Sequence, residues 1–222
     1  MKKKVFLVLL VVVLTASYAQ AQFSFGARAG FNLTNAFTKY DGKKAEGDMK
    51  PKYKPGFQIG VVGEYAISDI FAIQPGILYA TQGYKMSTLG THPTMGKFES
   101  KITANINYLQ IPVNAQYKVG LDGSALLLQA GPYFGFAFGA KSKSETTING
   151  DTEKNEYNLK FGSKEDEINR LDFGLGLGIG LQLNAIQIGL GYKFGLANLS
   201  NVDKSSITNR GLAITATYFF GK

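Results

Sequence analysis

From residue 23 onward the chain alternates apolar residues with polar residues or glycine at a period of two. That is the repeat of a β-strand with two contrasting faces. In the first such stretch Phe23, Phe25, Ala27, Ala29, Phe31 and Leu33 alternate with Ser24, Gly26, Arg28, Gly30 and Asn32. The clearest runs over 171–183, where Leu171, Phe173, Leu175, Leu177, Ile179, Leu181 and Leu183 alternate with Asp172, four glycines and Gln182. The pattern predicts eight strands, over 23–33, 57–67, 71–82, 109–118, 126–138, 171–183, 186–196 and 211–220. Helical periodicity is nearly absent.

The connections alternate in length. Ser68-Asp69-Ile70, Asp122-Gly123 and Asn184-Ala185 read as tight turns, and Asp-Gly is a strong hairpin signal. Long polar segments, roughly 34–55, 84–105, 141–169 and 197–209, read as loops. Pairing across Asp122-Gly123 sets Tyr117 opposite Leu128. Pairing across Asn184-Ala185 sets Leu181 opposite Ile188 and Gly178 opposite Gly191, so the apolar faces coincide. Short turns on one rim and long loops on the other predict an eight-stranded antiparallel up-and-down transmembrane β-barrel, an all-β fold. Termini and tight turns then face the periplasm.

Alternation alone does not say which face is out. The interior of an eight-stranded barrel is just filled by side chains and cannot hold this many Phe, Tyr, Leu and Ile groups. The apolar face is therefore expected outside, in lipid. Aromatic residues near strand ends, among them Tyr65, Phe71, Tyr117, Phe138 and Phe194, fit interfacial girdles. Pro75, Pro112 and Pro132 fall inside strands, where bulges are expected.

The N-terminus supplies the route to that membrane. Met1 and Lys2–Lys4 precede an unbroken apolar run from Val5 to Leu14, and Ala19-Gln20-Ala21 offers an A-x-A cleavage site. This order predicts a signal peptide over 1–21, cleavage before Gln22, and a barrel domain over 22–222. The apolar run is about half the ~20 residues of a membrane-spanning helix. Without a cysteine there is no disulfide and no lipid-modified N-terminal cysteine. The net charge of +8 falls to +5 once Lys2, Lys3 and Lys4 leave with the leader. No strand carries the basic stripe of a nucleic-acid binder.

Several segments resemble the small outer-membrane β-barrel ("porin family") proteins of the Bacteroidota type. They include FSFGARAGFNLTN, GFQIGVVGEY, FAIQPGILYATQGYK, NYLQIPVNAQYKV, LDFGLGLGIGLQL and RGLAITATYFFGK. The resemblance implies the outer membrane of a Gram-negative bacterium and brings no catalytic residues. It also implies that the closing strand, with Tyr218 and Phe220 toward lipid, is the signal read by the outer-membrane insertion machinery.

Candidate chemistry changes this picture little. The Gly174–Gly180 run lies inside a strand and lacks the G-x-G-x-x-G spacing of a dinucleotide loop. His92 is the single histidine, with no paired nucleophile, so neither catalysis nor a metal site is expected. No cofactor is implied. Six lysines over 39–54 read as a solvated loop or as a contact for lipopolysaccharide or another acidic partner.

The inward face is more specific. Glycine faces glycine at three levels of the 171–195 hairpin, leaving a strip of inner wall almost bare. Long groups from the opposite wall are expected against it: Arg28, Glu64, Gln116, Gln129 and Tyr133, with Lys193 also inward. Arg28 and Glu64, on adjacent strands, are candidates for a buried ion pair. Arg28, Glu64, Gln116, Gln129 and Lys193 together would form a polar plug. The expected protein is then a structural or interaction barrel that meets outer-membrane lipid, lipopolysaccharide and an unidentified envelope partner. A small-solute pore is the alternative, and a barrel enzyme stands third.

Overall fold

A computed structural model describes residues 22–47, 50–92, 96–165 and 167–221. The expected leader, with Ala19 and Ala21, lies outside the described residues, as does the side chain of His92. The elements are β1 (Phe23–Tyr40), β2 (Lys43–Lys44), β3 (Lys54–Ala66), β4 (Phe71–His92), β5 (Gly96–Leu121) and β6 (Ser124–Ile148). They continue with β7 (Asp151–Asn158), β8 (Lys160–Phe161), β9 (Glu167–Ile168), β10 (Leu171–Leu183), β11 (Ile186–Gly195) and β12 (Ser205–Phe220).

Eight of these close a ring in the order β10-β11-β12-β1-β3-β4-β5-β6, with β6 pairing back to β10. All neighbours in it are antiparallel. Closure leaves no edge around the ring, which an assembly of strands in hydrocarbon requires. The turns fall where the sequence puts them. Leu121 pairs with Ser124 across Asp122-Gly123, and Leu183 pairs with Ile186 across Asn184-Ala185. The register Gly174↔Gly195, Gly178↔Gly191, Gly180↔Gly189 is also observed.

The faces sort by parity. Phe25 is 64% exposed and Leu177 56%, whereas Gln110 and Gln116 are fully buried and Asp172 is 1% exposed. The ring is apolar outside and polar inside, the reverse of a water-soluble barrel.

Two expectations need correction. The first concerns the prolines. The register shift lies at Asn107/Tyr108, where Tyr108 pairs with Ala137 and Asn107 with Gly139, so Phe138 is the extra residue. Pro75, Pro112 and Pro132 keep partners in register: Val113, Tyr133 and Leu175. Next to them pairing lapses and resumes in the same register, as between Pro75↔Val113 and Leu78↔Gln110. A proline removes a ladder hydrogen bond but adds no residue, so it interrupts pairing without forcing a bulge.

The second correction concerns the long loops. Strands continue well into 34–55, 84–105, 141–169 and 197–209. β1 reaches Tyr40, β4 and β5 pair as far as His92↔Gly96, and β6 and β7 form a hairpin from Lys141↔Asn158 to Ile148↔Asp151. Asp41-Gly42 and Asn149-Gly150 supply the turns, with φ of 48° and 75°, and of 51° and 100°. Asn-Gly and Asp-Gly tolerate two successive positive φ values, as a two-residue hairpin demands. Along the β6–β7 hairpin neither face is buried, so its sequence carries no apolar alternation. Cross-strand charge pairs stand in for it: Lys141–Glu156 at 2.7 Å, Lys143–Glu156 at 2.9 Å and Lys154–Glu145 at 3.6 Å.

The remaining connections fold inward. Leu159, Phe161 and Ile168 pack against Ile106, Tyr108, Ala137 and Ala140 on the inner face of β5 and β6. Asn169 N donates to Leu199 O at 3.0 Å, which ties this connection to the buried Leu199 of the next one. An apolar cap therefore sits at the loop end of the ring.

Candidate functional site: the barrel interior

The interior is organised in three levels, each set by the inward parity of the strands. At the turn end, Glu64 of β3 is buried and meets Lys118 Nζ of β5 at 2.7 Å. Gln187 Nε2 of β11 donates to Glu64 at 2.9 Å and Gln74 Nε2 of β4 donates to Gln187 at 3.0 Å. Arg28 Nε donates to Thr217 at 2.8 Å, and the same guanidinium donates to Gln74. Arg28 and Glu64 thus belong to one network. Gln74 reaches both residues, and Lys118 is an ion-pair partner of Glu64. A buried charge is tolerable only when so paired and hydrogen-bonded. Val62, Leu78 and Phe219 form an apolar cluster inside the ring.

At mid-height Lys193 Nζ of β11 donates to Gln110 of β5 at 2.6 Å and to Gln58 of β3 at 3.4 Å. It stands 5.6 Å from the centre of the Tyr133 ring. At the loop end Asn209 Nδ2 of β12 donates to Tyr108 Oη of β5 at 3.1 Å and to Asp172 of β10 at 2.9 Å. The Tyr133 hydroxyl donates to the same carboxylate at 3.4 Å. Gln74 and Gln187, like Tyr108 and Asn209, come from strands four places apart in the ring of eight, so each pair bridges the full lumen.

The glycine strip borders a cavity of about 70 Å³, whose lining includes Arg28, Gln129, Tyr133 and Lys193. Glu64 is placed nearer the turns, and Gln116 is fully buried opposite Gln129 in register. Neighbouring backbone crowds some of the inner-wall glycines. A Cβ on Gly174 would lie 2.0 Å from Phe194 O and one on Gly131 2.0 Å from Val113 O, so the neighbouring backbone, not the far wall, excludes side chains there. At Gly176 the nearest atom, Gly131 O, is 3.8 Å away, an ordinary van der Waals contact that a Cβ could make. Tyr218 and Phe220 point outward and are more than half exposed.

Sequence reading did not single out Tyr108, Asn209 or Gln74 for this interior. Parity carried the signal: Tyr108 continues the even inward set of Gln110 and Gln116, and Asn209 the odd inward set of Gly211 and Thr217. Among the described residues no group of three His, Cys, Asp or Glu side chains is placed to hold a metal.

Residues 18–201 match the family model described as the outer membrane protein beta-barrel domain. The chain belongs to that family. It is therefore a Gram-negative outer-membrane barrel, and its exposed apolar face is the surface that meets hydrocarbon. The last strand, β12, lies beyond the matched residues and is placed by its pairing with both β1 and β11. No curated relative matches the sequence. Solved outer-membrane barrels are similar at low identity. Ail of Yersinia pestis, crystallised with the heparin analogue sucrose octasulfate, is 15% identical over 90% of this chain and 99% of its own, with a TM-score of 0.36. Neisserial surface protein A is 15% identical over 89% and 97%, with a TM-score of 0.39. The outer membrane protease OmpT of Escherichia coli is 10% identical over 89% and 97%, also at 0.39.

Proposed function

We propose that this outer-membrane barrel is a non-conducting structural and interaction protein of the Bacteroidota type, working through the strands and loops that rise above the membrane. In this reading residues 1–21 are removed before Gln22, and residues 22–222 form the working domain. Arg28, Glu64, Gln116, Gln129 and Lys193 contribute to a polar plug, and catalysis has no part. The observation that carries it is the set of side-chain bridges across the lumen, Gln74–Gln187, Lys193–Gln110 and Tyr108–Asn209. An eight-stranded interior is only wide enough for side chains, so bridges at three heights leave little lumen for solute. The polar β6–β7 hairpin and its neighbours offer the surface for an envelope partner.

Conductance of the full-length barrel in planar bilayers tests this reading. The expected result is a baseline indistinguishable from protein-free membrane. Stepwise currents that scale with salt would replace it with the pore reading, for which the 70 Å³ cavity beside the bare glycine strip is the supporting feature.

A further inference from the structure

The outer wall carries a second polar feature, at the height where its apolar band ends. On β1 the outward residues run Phe25, Ala27, Ala29, Phe31 and Leu33, a span of the length that crosses a bilayer core at the usual tilt. Leu33 pairs with Leu212 of β12, and the next outward pair toward the loops is Asn35↔Arg210. Arg210 is therefore the first charge above the hydrocarbon on this sector. Its guanidinium carbon lies over the outward ring of Phe37, 3.8 Å from the centroid. Lys39 and Lys44 stand 5.3 and 5.7 Å from the same ring.

Beside them a cleft of about 490 Å³ opens, lined by Phe37, Lys44, Lys50, Tyr53, Tyr192 and Arg210, with Glu46 as the acid among the described lining residues. The structure also sorts the lysines of this segment. Lys52 donates to Ser87 at 2.6 Å, and Lys54 is buried in the wall with Nζ on Pro55 O. Lys44 and Lys50 are left to the cleft.

Three like charges around one phenyl ring repel, and a ring quadrupole offsets this only weakly. An anion seated among them relieves the repulsion. A guanidinium in this position can bind a phosphate through two parallel hydrogen bonds. The tyrosine and phenylalanine walls suit a ligand that is polar at one end and apolar at the other.

We infer that the Phe37–Arg210 cleft binds the phosphate of an outer-leaflet glycolipid headgroup. The inference rests on the outer-membrane placement and is independent of whether the lumen conducts. It gives the lysine-rich segment a defined ligand: Arg210 and Lys44 hold the phosphate, and the acyl chains run down the wall past Tyr192 and Leu212.

The test uses the full chain refolded in detergent, with native mass spectrometry reading retained bisphosphorylated lipid A. Enzymatically dephosphorylated lipid A, inorganic phosphate and the variants R210Q/K44Q and K101Q/K154Q are compared. The band shift on heating checks that each variant is folded. Retention is expected to fall by about tenfold or more on dephosphorylation and in R210Q/K44Q, as lost charge-assisted hydrogen bonds require. K101Q/K154Q, on the distant extensions, should retain lipid as wild type does. Retention indifferent to the phosphate or to R210Q/K44Q overturns the inference. Competition by inorganic phosphate as strong as that by lipid A also overturns it, because the site would then take a soluble anion. A barrel that conducts yet retains lipid A in this pattern would refute the plug and leave the cleft standing.

Discussion

Tyr108 and Asn209 stand on opposite strands of the eight-membered ring, yet their side chains meet at 3.1 Å. Such a contact is possible only because the ring is small and its inner faces interdigitate. Asn209 also donates to Asp172, which the Tyr133 hydroxyl reaches, so four strands share one polar knot.

Asn209→Leu removes both donations at once. It leaves the Tyr108 hydroxyl and the Asp172 carboxylate short of a partner where neither meets water. The expected cost is about 1–3 kcal/mol, the usual penalty for orphaning buried polar groups. Urea unfolding of the refolded barrel measures it. A midpoint equal to wild type would mean that the knot adds nothing to stability.

Two glycines on one strand should respond oppositely to the same substitution. At Gly174 an added Cβ lies 2.0 Å from Phe194 O, whereas at Gly176 the nearest atom is 3.8 Å away. Gly174→Ala must push β10 from β11, an overpacking cost of roughly 1–3 kcal/mol. Gly176→Ala should be neutral or slightly stabilising, since glycine is entropically costly within a strand. Equal destabilisation of the two variants in thermal unfolding would show that curvature of the whole strip, and not local backbone approach, requires glycine.

The ring, its register and its inside-out polarity were legible because one physical constraint, lipid on one face only, writes period two into every spanning strand. The constraint ends at the membrane. Beyond it neither face of the β6–β7 hairpin is buried, and stretches such as Lys141–Ile148 look like loop although Asn149-Gly150 marks a hairpin. Inside the ring, parity identified which residues point inward. It did not identify partners, because those depend on how strands four places apart face one another. Arg28 and Glu64 sit on neighbouring strands, and their network draws in Gln74 and Gln187, from β4 and β11, which no local pattern would have named.

The closing strand separates two roles that a simple deletion confuses. Removing residues 211–222 abolishes closure, since β12 pairs with both β1 and β11 over that stretch. Tyr218→Ser with Phe220→Ser alters only outward side chains. If these aromatics are read by the insertion machinery, the double variant should accumulate unassembled in cells while the purified protein still refolds to a heat-modifiable barrel. Normal assembly in cells would remove both residues from that role.

The β6–β7 hairpin should loosen in acid. Hydrogen bonds from Lys141 and Lys143, and the charges of both, pull the Glu156 carboxyl down from 4.5 to about 2. A carboxyl held low in the folded state stabilises above its ordinary value, and that contribution fades as pH falls from about 4.5 toward 2. Burial of β6–β7 apolar surface cannot compensate, because β7 is exposed along its whole length. All partners are exposed, so added salt should weaken the same pairing at neutral pH. Carboxyl NMR titration of the barrel should place the Glu156 midpoint well below that of an ordinary glutamate. Amide exchange at Lys141–Ile148, corrected for its intrinsic pH dependence, should rise across the same window while Leu171–Leu183 in the ring stays protected. Glu156→Gln should abolish that pH dependence. If the acid-induced loosening persists in Glu156→Gln, another carboxylate of the extensions controls the hairpin.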